Sequence, residues 1–128
     1  MNRRILIPLT TAAAAMALAV PAASGSGSDD IRKTGTCTGS SSSKIKAKAR
    51  DGRLEVEFEV DQNRNGVKWK VRLKDNGKRV FRGRARTKAP SGSFSIERKI
   101  ANLPGTDAIT GIGKNPATGE RCVAKLKI

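Results

Sequence analysis

Three groups of side chains in this sequence could carry chemistry. The first is the run Asp61-Gln62-Asn63-Arg64-Asn65-Gly66, which matches the opening half of a calcium-loop pattern. Asp61, Asn63 and Asn65 would supply its first three oxygens, and Gly66 would make the sharp turn. After that the pattern fails. Position 9 is Trp69, and position 12, where a bidentate Glu closes such a loop, is the cation Arg72. Turn chemistry explains the same residues, because Asp and Asn satisfy nearby backbone groups and Asn65-Gly66 suits left-handed angles. The expectation is a polar turn, with no metal and no other cofactor; Asp61, Asn63 and Asn65 are the ligands to test if a cation binds.

The second group is Cys37 and Cys122, the only two cysteines. With no His in the chain they make a poor metal site. In an oxidising compartment they would pair and tie the first strand of the domain to the last.

The third group is basic. The chain has 26 Lys and Arg against 11 Asp and Glu, a formal charge of +15. Such a balance attracts polyanions without selectivity. The basic residues of 44–48 and 68–72 are expected to have glutamate neighbours across the strands; Arg79, Arg82, Arg84 and Arg86 are not. They read either as an anion-binding strip, since guanidinium suits phosphate, or as charge that keeps an edge strand from aggregating.

Catalysis has little to work with. The missing His removes Ser–His and Cys–His nucleophile pairs. Glu55, Glu57 and Glu59 each have a basic residue expected opposite, a poor setting for a general acid. The expectation is that the protein is not an enzyme. Phe58, Trp69, Phe81 and Phe94 all fall on inward positions of alternating strands, leaving no ring for bases or sugars to stack on. Sequence-specific nucleic-acid recognition is therefore not expected. Leu103-Pro104-Gly105-Thr106-Asp107 has Asp where a sorting signal needs Gly and reads as a turn.

These side chains need a scaffold, and the chain divides accordingly. Arg3 and Arg4 precede an apolar run from Ile5 to Val20, then Val20-Pro21-Ala22, the build of a secretory signal peptide cleaved after Ala22. Cleavage after Ser24 is the alternative, and the arginine pair leaves the twin-arginine route open. The run is shorter than the roughly 20 residues of a membrane span. The expectation is a secreted, extracellular protein with no membrane span. Residues 23–30 read as a disordered Ser/Gly linker, and residues 31–128 as a single domain.

Within that domain the dominant signal is period-2 alternation, the mark of half-buried strands. Asp51-Gly52 between residues 44–50 and 53–60 is a two-residue hairpin turn. It pairs Ala49 with Leu54, Ala47 with Val56 and Ile45 with Phe58 on one face. On the other it pairs Lys48 with Glu55, Lys46 with Glu57 and Lys44 with Glu59. Residues 61–66 are expected to close a second hairpin, Val60 opposite Val67, so that the glutamates lie between two basic strands. A three-residue loop Asp75-Asn76-Gly77 would then set Arg82 opposite Lys70 and Arg84 opposite Lys68. Later strands are expected around Phe94–Ile100, over 107–113 and over Arg121–Ile128. Seven or eight short strands give an all-β fold, an antiparallel β-sandwich of immunoglobulin-like or fibronectin-III-like type, with a small barrel as the alternative.

The runs VDQNRNGVKWKV, PSGSFSI, LPGTDAI and NPATGERC resemble small secreted actinobacterial proteins. That resemblance spans the mature domain and implies a secreted β-sandwich with no catalytic residues to carry over. Two roles fit: a basic, non-enzymatic module contacting an anionic polymer or cell-envelope surface, or an interaction protein such as a protease inhibitor presenting Thr87-Lys88-Ala89-Pro90-Ser91.

Overall fold

The structure, a computed structural model, describes residues 30–128. The expected signal peptide and most of the expected linker, residues 1–29, lie outside the described residues. Nine strands and no helix make up the described chain: β1 (Ile31–Thr34), β2 (Thr36–Cys37), β3 (Ser42–Arg50), β4 (Arg53–Asp61), β5 (Lys68–Asp75), β6 (Lys78–Arg86), β7 (Ser93–Ala101), β8 (Ala108–Lys114) and β9 (Arg121–Lys127). They form two antiparallel sheets, β1-β3-β4-β7 and β2-β9-β8-β5-β6, packed as a sandwich. The count exceeds eight because the first strand changes sheets at Gly35. A Cβ there would lie 2.4 Å from both Ser43 Oγ and the Val123 carbonyl, so the crossing is open only to glycine.

Alternation builds the core directly. Ile45, Ala47, Leu54, Val56, Phe58 and Val60 from one sheet meet Trp69, Val71, Leu73, Ile109, Ala124 and Leu126 from the other. Phe58 and Trp69 are fully buried, each worth roughly 1.5–3 kcal/mol in transfer terms. Phe94 packs on both rings, with centroids 6.4 Å from Phe58 and 6.0 Å from Trp69. Opposite them β8 carries Gly111, where a Cβ would come within 2.5 Å of the Phe58 ring. The disulfide joins Cys37 to Cys122, which are direct partners between β2 and β9.

The β3–β4 hairpin has the register expected from Asp51-Gly52 at all nine pairs. Two other pairings differ. β4 does not pair with β5; its second neighbour is β7, with Leu54, Phe58 and Val60 opposite Ile100, Ile96 and Phe94. Residues 62–67 instead carry the chain across to the other sheet. Alternation favours the pairing that is not formed: β5 would match β4 at every inward position, whereas β7 sets Arg98 opposite Val56, with its guanidinium over the Phe81 ring. Crossing to the other sheet lets β5 cover the inward face of β4.

The β5–β6 turn is also shorter than expected. Asp75 pairs with Lys78 around Asn76 (φ 51°) and Gly77 (φ 82°), the two positive angles of a type I′ turn. A two-residue turn alone would slip Arg82 into the core. A bulge at Val80 prevents this: Lys74 pairs with Arg79, but Leu73 pairs with Phe81.

A candidate anion-binding face

The outer face of the five-stranded sheet follows from these registers. Odd and even positions separate cleanly, so Trp69, Val71 and Leu73 point inward while Lys68, Lys70, Arg72 and Lys74 point out. On β6, Arg82, Arg84 and Arg86 share that outer face. The bulge brings Arg79 to the row where an unbroken register would have placed Val80. Four cation pairs result: Arg86 with Lys68, Arg84 with Lys70, Arg82 with Arg72, and Arg79 with Lys74. The corrected register thus moves Arg82 and Arg84 one row from their expected partners and still leaves like charges opposed. Lys68, Lys70 and Arg72, expected beside the β4 glutamates, lie in the other sheet.

The cationic face extends beyond the predicted arginines. Lys70 pairs onward with Lys114, and Lys114 with Arg121. Lys125 and Lys127 lie on the same side of β9. No Asp or Glu stands at an outward strand position of this sheet. Among the described residues, none of these cations forms a salt bridge. Arg86 is tethered at the end of the strip, donating to the Gly66 carbonyl at 3.1 Å. A groove of about 360 Å³ runs between Lys70, Arg72, Arg82, Arg84 and Lys114, with Ile112 in its floor. Ile112 is 5 % exposed yet lies outside the core cluster. Long basic side chains cover such a residue with their aliphatic stems and keep their heads in water.

Elsewhere the candidates resolve into structure. Asp61 Oδ1 accepts the Asn63 backbone N–H, and Gln62 Oε1 accepts the Trp69 indole N–H. Asn63 is left-handed at φ 56°. Thr87 is buried and its hydroxyl donates to the Arg64 carbonyl, so the 61–66 loop is clamped from the β6 end. The same contact withdraws Thr87 from the loop expected to face a protease. Lys88 is bridged to Ser93, and Gly92 N–H returns to the Lys88 carbonyl, closing that segment into a compact turn. Among the described residues no group of three or more His, Cys, Asp or Glu could hold a metal ion. No helix there is long and apolar enough to cross a membrane.

One cluster escaped the sequence reading. Asp75 and Asp107 are buried at 1 % and 0 % exposure, where β5 ends and β8 begins. Both Asp75 oxygens and Asp107 Oδ1 lack hydrogen-bond partners, and Asp107 Oδ2 accepts the Leu103 N–H at 3.3 Å. Burial, then the charge of Asp107, pushes the Asp75 carboxyl above its ordinary range. The signal was present in the pattern Trp69-Val71-Leu73-Asp75, which continues the inward face into an acid.

No protein-family model matches the chain, and no curated protein is significantly similar to it. The functional reading therefore rests on the geometry of this face.

Proposed function

We propose that the protein is a secreted, non-enzymatic binding module that holds anionic polymers or an anionic cell-envelope surface on the outer face of its five-stranded sheet. The observation that carries this reading is the row Arg84–Lys70–Lys114–Arg121, four cations side by side on adjacent strands without a counter-charge. Like charges directly opposite destabilise a sheet. A polyanion removes that repulsion and releases its own counterions on binding. The absence of exposed aromatic rings fits backbone contact without base reading. The Cys37–Cys122 disulfide is compatible with an extracellular protein.

The test is retention on a polyanion column across a salt gradient. Arg82→Gln, Arg84→Gln and Arg86→Gln together are expected to remove most retention and, with three contacts gone, to lower the log–log salt slope by about 2. Lys44→Gln, Lys46→Gln and Lys48→Gln together are expected to do much less, because Lys44 and Lys46 already pair with Glu59 and Glu57. Equal losses would reduce the effect to net charge. A wild-type protein that passes unretained at low salt would leave edge protection as the account of the arginines.

A further inference from the structure

The β5–β6 pair is more than a patch of charge. Its outward cations repeat every second residue on β5 and from Arg82 to Arg86 on β6, where Arg79 joins across the bulge, and the register sets them opposite one another in four rows. Two residues of an extended chain are six backbone bonds, so the rows lie about 6.8 Å apart, while the two strands are about 4.8 Å apart. The fourth row exists only because the bulge replaces Val80 with Arg79. The result is a double track about 20 Å long, twisted as paired strands are and bent most at the bulge, with a cation on each side at every row.

Resting on the polyanion reading above, we propose that this track is matched to an extended single-stranded phosphodiester chain with six backbone bonds between phosphates. Such a chain has a phosphate about every 7 Å when drawn out, since six backbone bonds of any extended chain span that distance. Each phosphate then lies between an Arg of β6 and a Lys or Arg of β5. Arg supplies paired N–H donors and Lys supplies a point charge. Two kinds of polymer share the six-bond repeat: 1,3-linked glycerol phosphate chains and the sugar–phosphate strand of a nucleic acid. The face reads the phosphate repeat that they have in common.

The experiment uses base-free oligomers with equal numbers of phosphates, joined by ethane-1,2-diol, propane-1,3-diol or hexane-1,6-diol. Their repeats are five, six and nine bonds. The six-bond oligomer is expected to bind tightest, roughly threefold above the five-bond and roughly tenfold above the nine-bond oligomer, as phosphates drift off the charge-assisted contacts. Its log–log salt slope is expected near about −3, the value for four phosphates on a single strand. Lys70→Gln with Arg84→Gln should abolish the preference. Lys125→Gln with Lys127→Gln, an equal loss of charge on β9, should lower affinity and keep it. An oligothymidylate of the same phosphate number is expected to match the propanediol oligomer. Affinity that rises steadily with phosphate density, five-bond above six-bond, overturns the matched track while leaving polyanion binding intact. Oligothymidylate binding far more tightly than the base-free chain overturns backbone-only recognition and makes nucleic acid the source. If no oligomer binds at low salt, the polyanion reading falls as well.

Discussion

The two outer faces of this sandwich are made by the same alternation and differ in what stands opposite what. On the four-stranded sheet, Glu55, Glu57 and Glu59 run up the centre. Lys46 approaches Glu57 to 3.2 Å and Lys44 approaches Glu59 to 3.6 Å, while Arg50 and Lys99 approach Glu55 to 3.7 and 4.0 Å. Partly exposed pairs like these contribute little each, on the order of 0–1 kcal/mol, but they give each central glutamate a counter-charge, even though Glu57 also faces Glu97. Across the core, Ile112 stands at the centre of a sheet whose other long outward side chains are Lys and Arg. One face has found its counter-charges within the chain, and the other has to find them in solution. Net charge alone would not distinguish the two; pairing register does.

The largest effect expected from perturbing one sheet and not the other comes from the disulfide, which lies entirely within the five-stranded sheet. Cys37→Ala with Cys122→Ala opens a closure of 85 residues and is expected to cost about 4–5 kcal/mol in a urea unfolding measurement. Hydrogen exchange should show protection lost first along β2 and β9, with the β3–β4–β7 ladder the last to open. A uniform loss would mean that the sheets do not differ in local stability.

A smaller effect is expected from giving the open face the counter-charge it lacks. Ile112→Glu places a carboxylate next to Arg72, its cross-strand partner. Opposite-charge pairing on a sheet is worth roughly 0.2–1 kcal/mol, set against the loss of a buried side chain. The melting temperature should therefore fall by roughly 5–15 °C, while polyanion retention falls in the manner of a multiple arginine variant. Retention that survives Ile112→Glu would show that the centre of the face is not where the polymer lies.

The smallest effect concerns the inner side of the same sheet. Asp75 is held above its ordinary value of 3.8 by burial and by Asp107. A carboxyl with a raised folded value stabilises the fold when protonated. Stability therefore falls as pH rises through and above 3.8, and the full penalty is present once pH exceeds the folded value. Asp75→Asn removes the titration. The variant should equal wild type in strong acid and melt higher at neutral pH, with the gap opening as pH rises. A gap independent of pH would mean that Asp75 is not shifted in the fold.

How far the sequence foretold this molecule depends on how far each feature is fixed by neighbours in the chain. The β3–β4 hairpin was legible to the last pair because Asp51-Gly52 permits one register and both faces agree with it. The partner of β4 was not, because alternation favours β5 over β7, which brings Arg98 to Val56, and only the need for a second layer reverses that preference. The bulge at Val80 was hidden for a related reason. A three-residue loop and a bulged two-residue turn both keep Arg82 out of the core, and the sequence alone weighs them evenly. The arginines of β6 were legible as a strip; their lysine and arginine partners on β5 were assigned to the wrong neighbours. Lys114 and Arg121 join the row only through long-range pairing. Asp75 looked like a turn residue until β5 was seen to run through it.

The division of the first strand at Gly35 has a mechanical consequence. β1 belongs to one sheet, β2 to the other, and the disulfide follows immediately at Cys37. Drag on a molecule held by its cationic face would pull on whatever precedes residue 31. That load can peel β1 from β3 one pair at a time, as far as Gly35. Beyond it the tension passes through Cys37 into Cys122 and β9 and bypasses the 84 residues between the cysteines. The cationic sheet would then keep its shape under a force that had already stripped the opposite sheet of its edge strand.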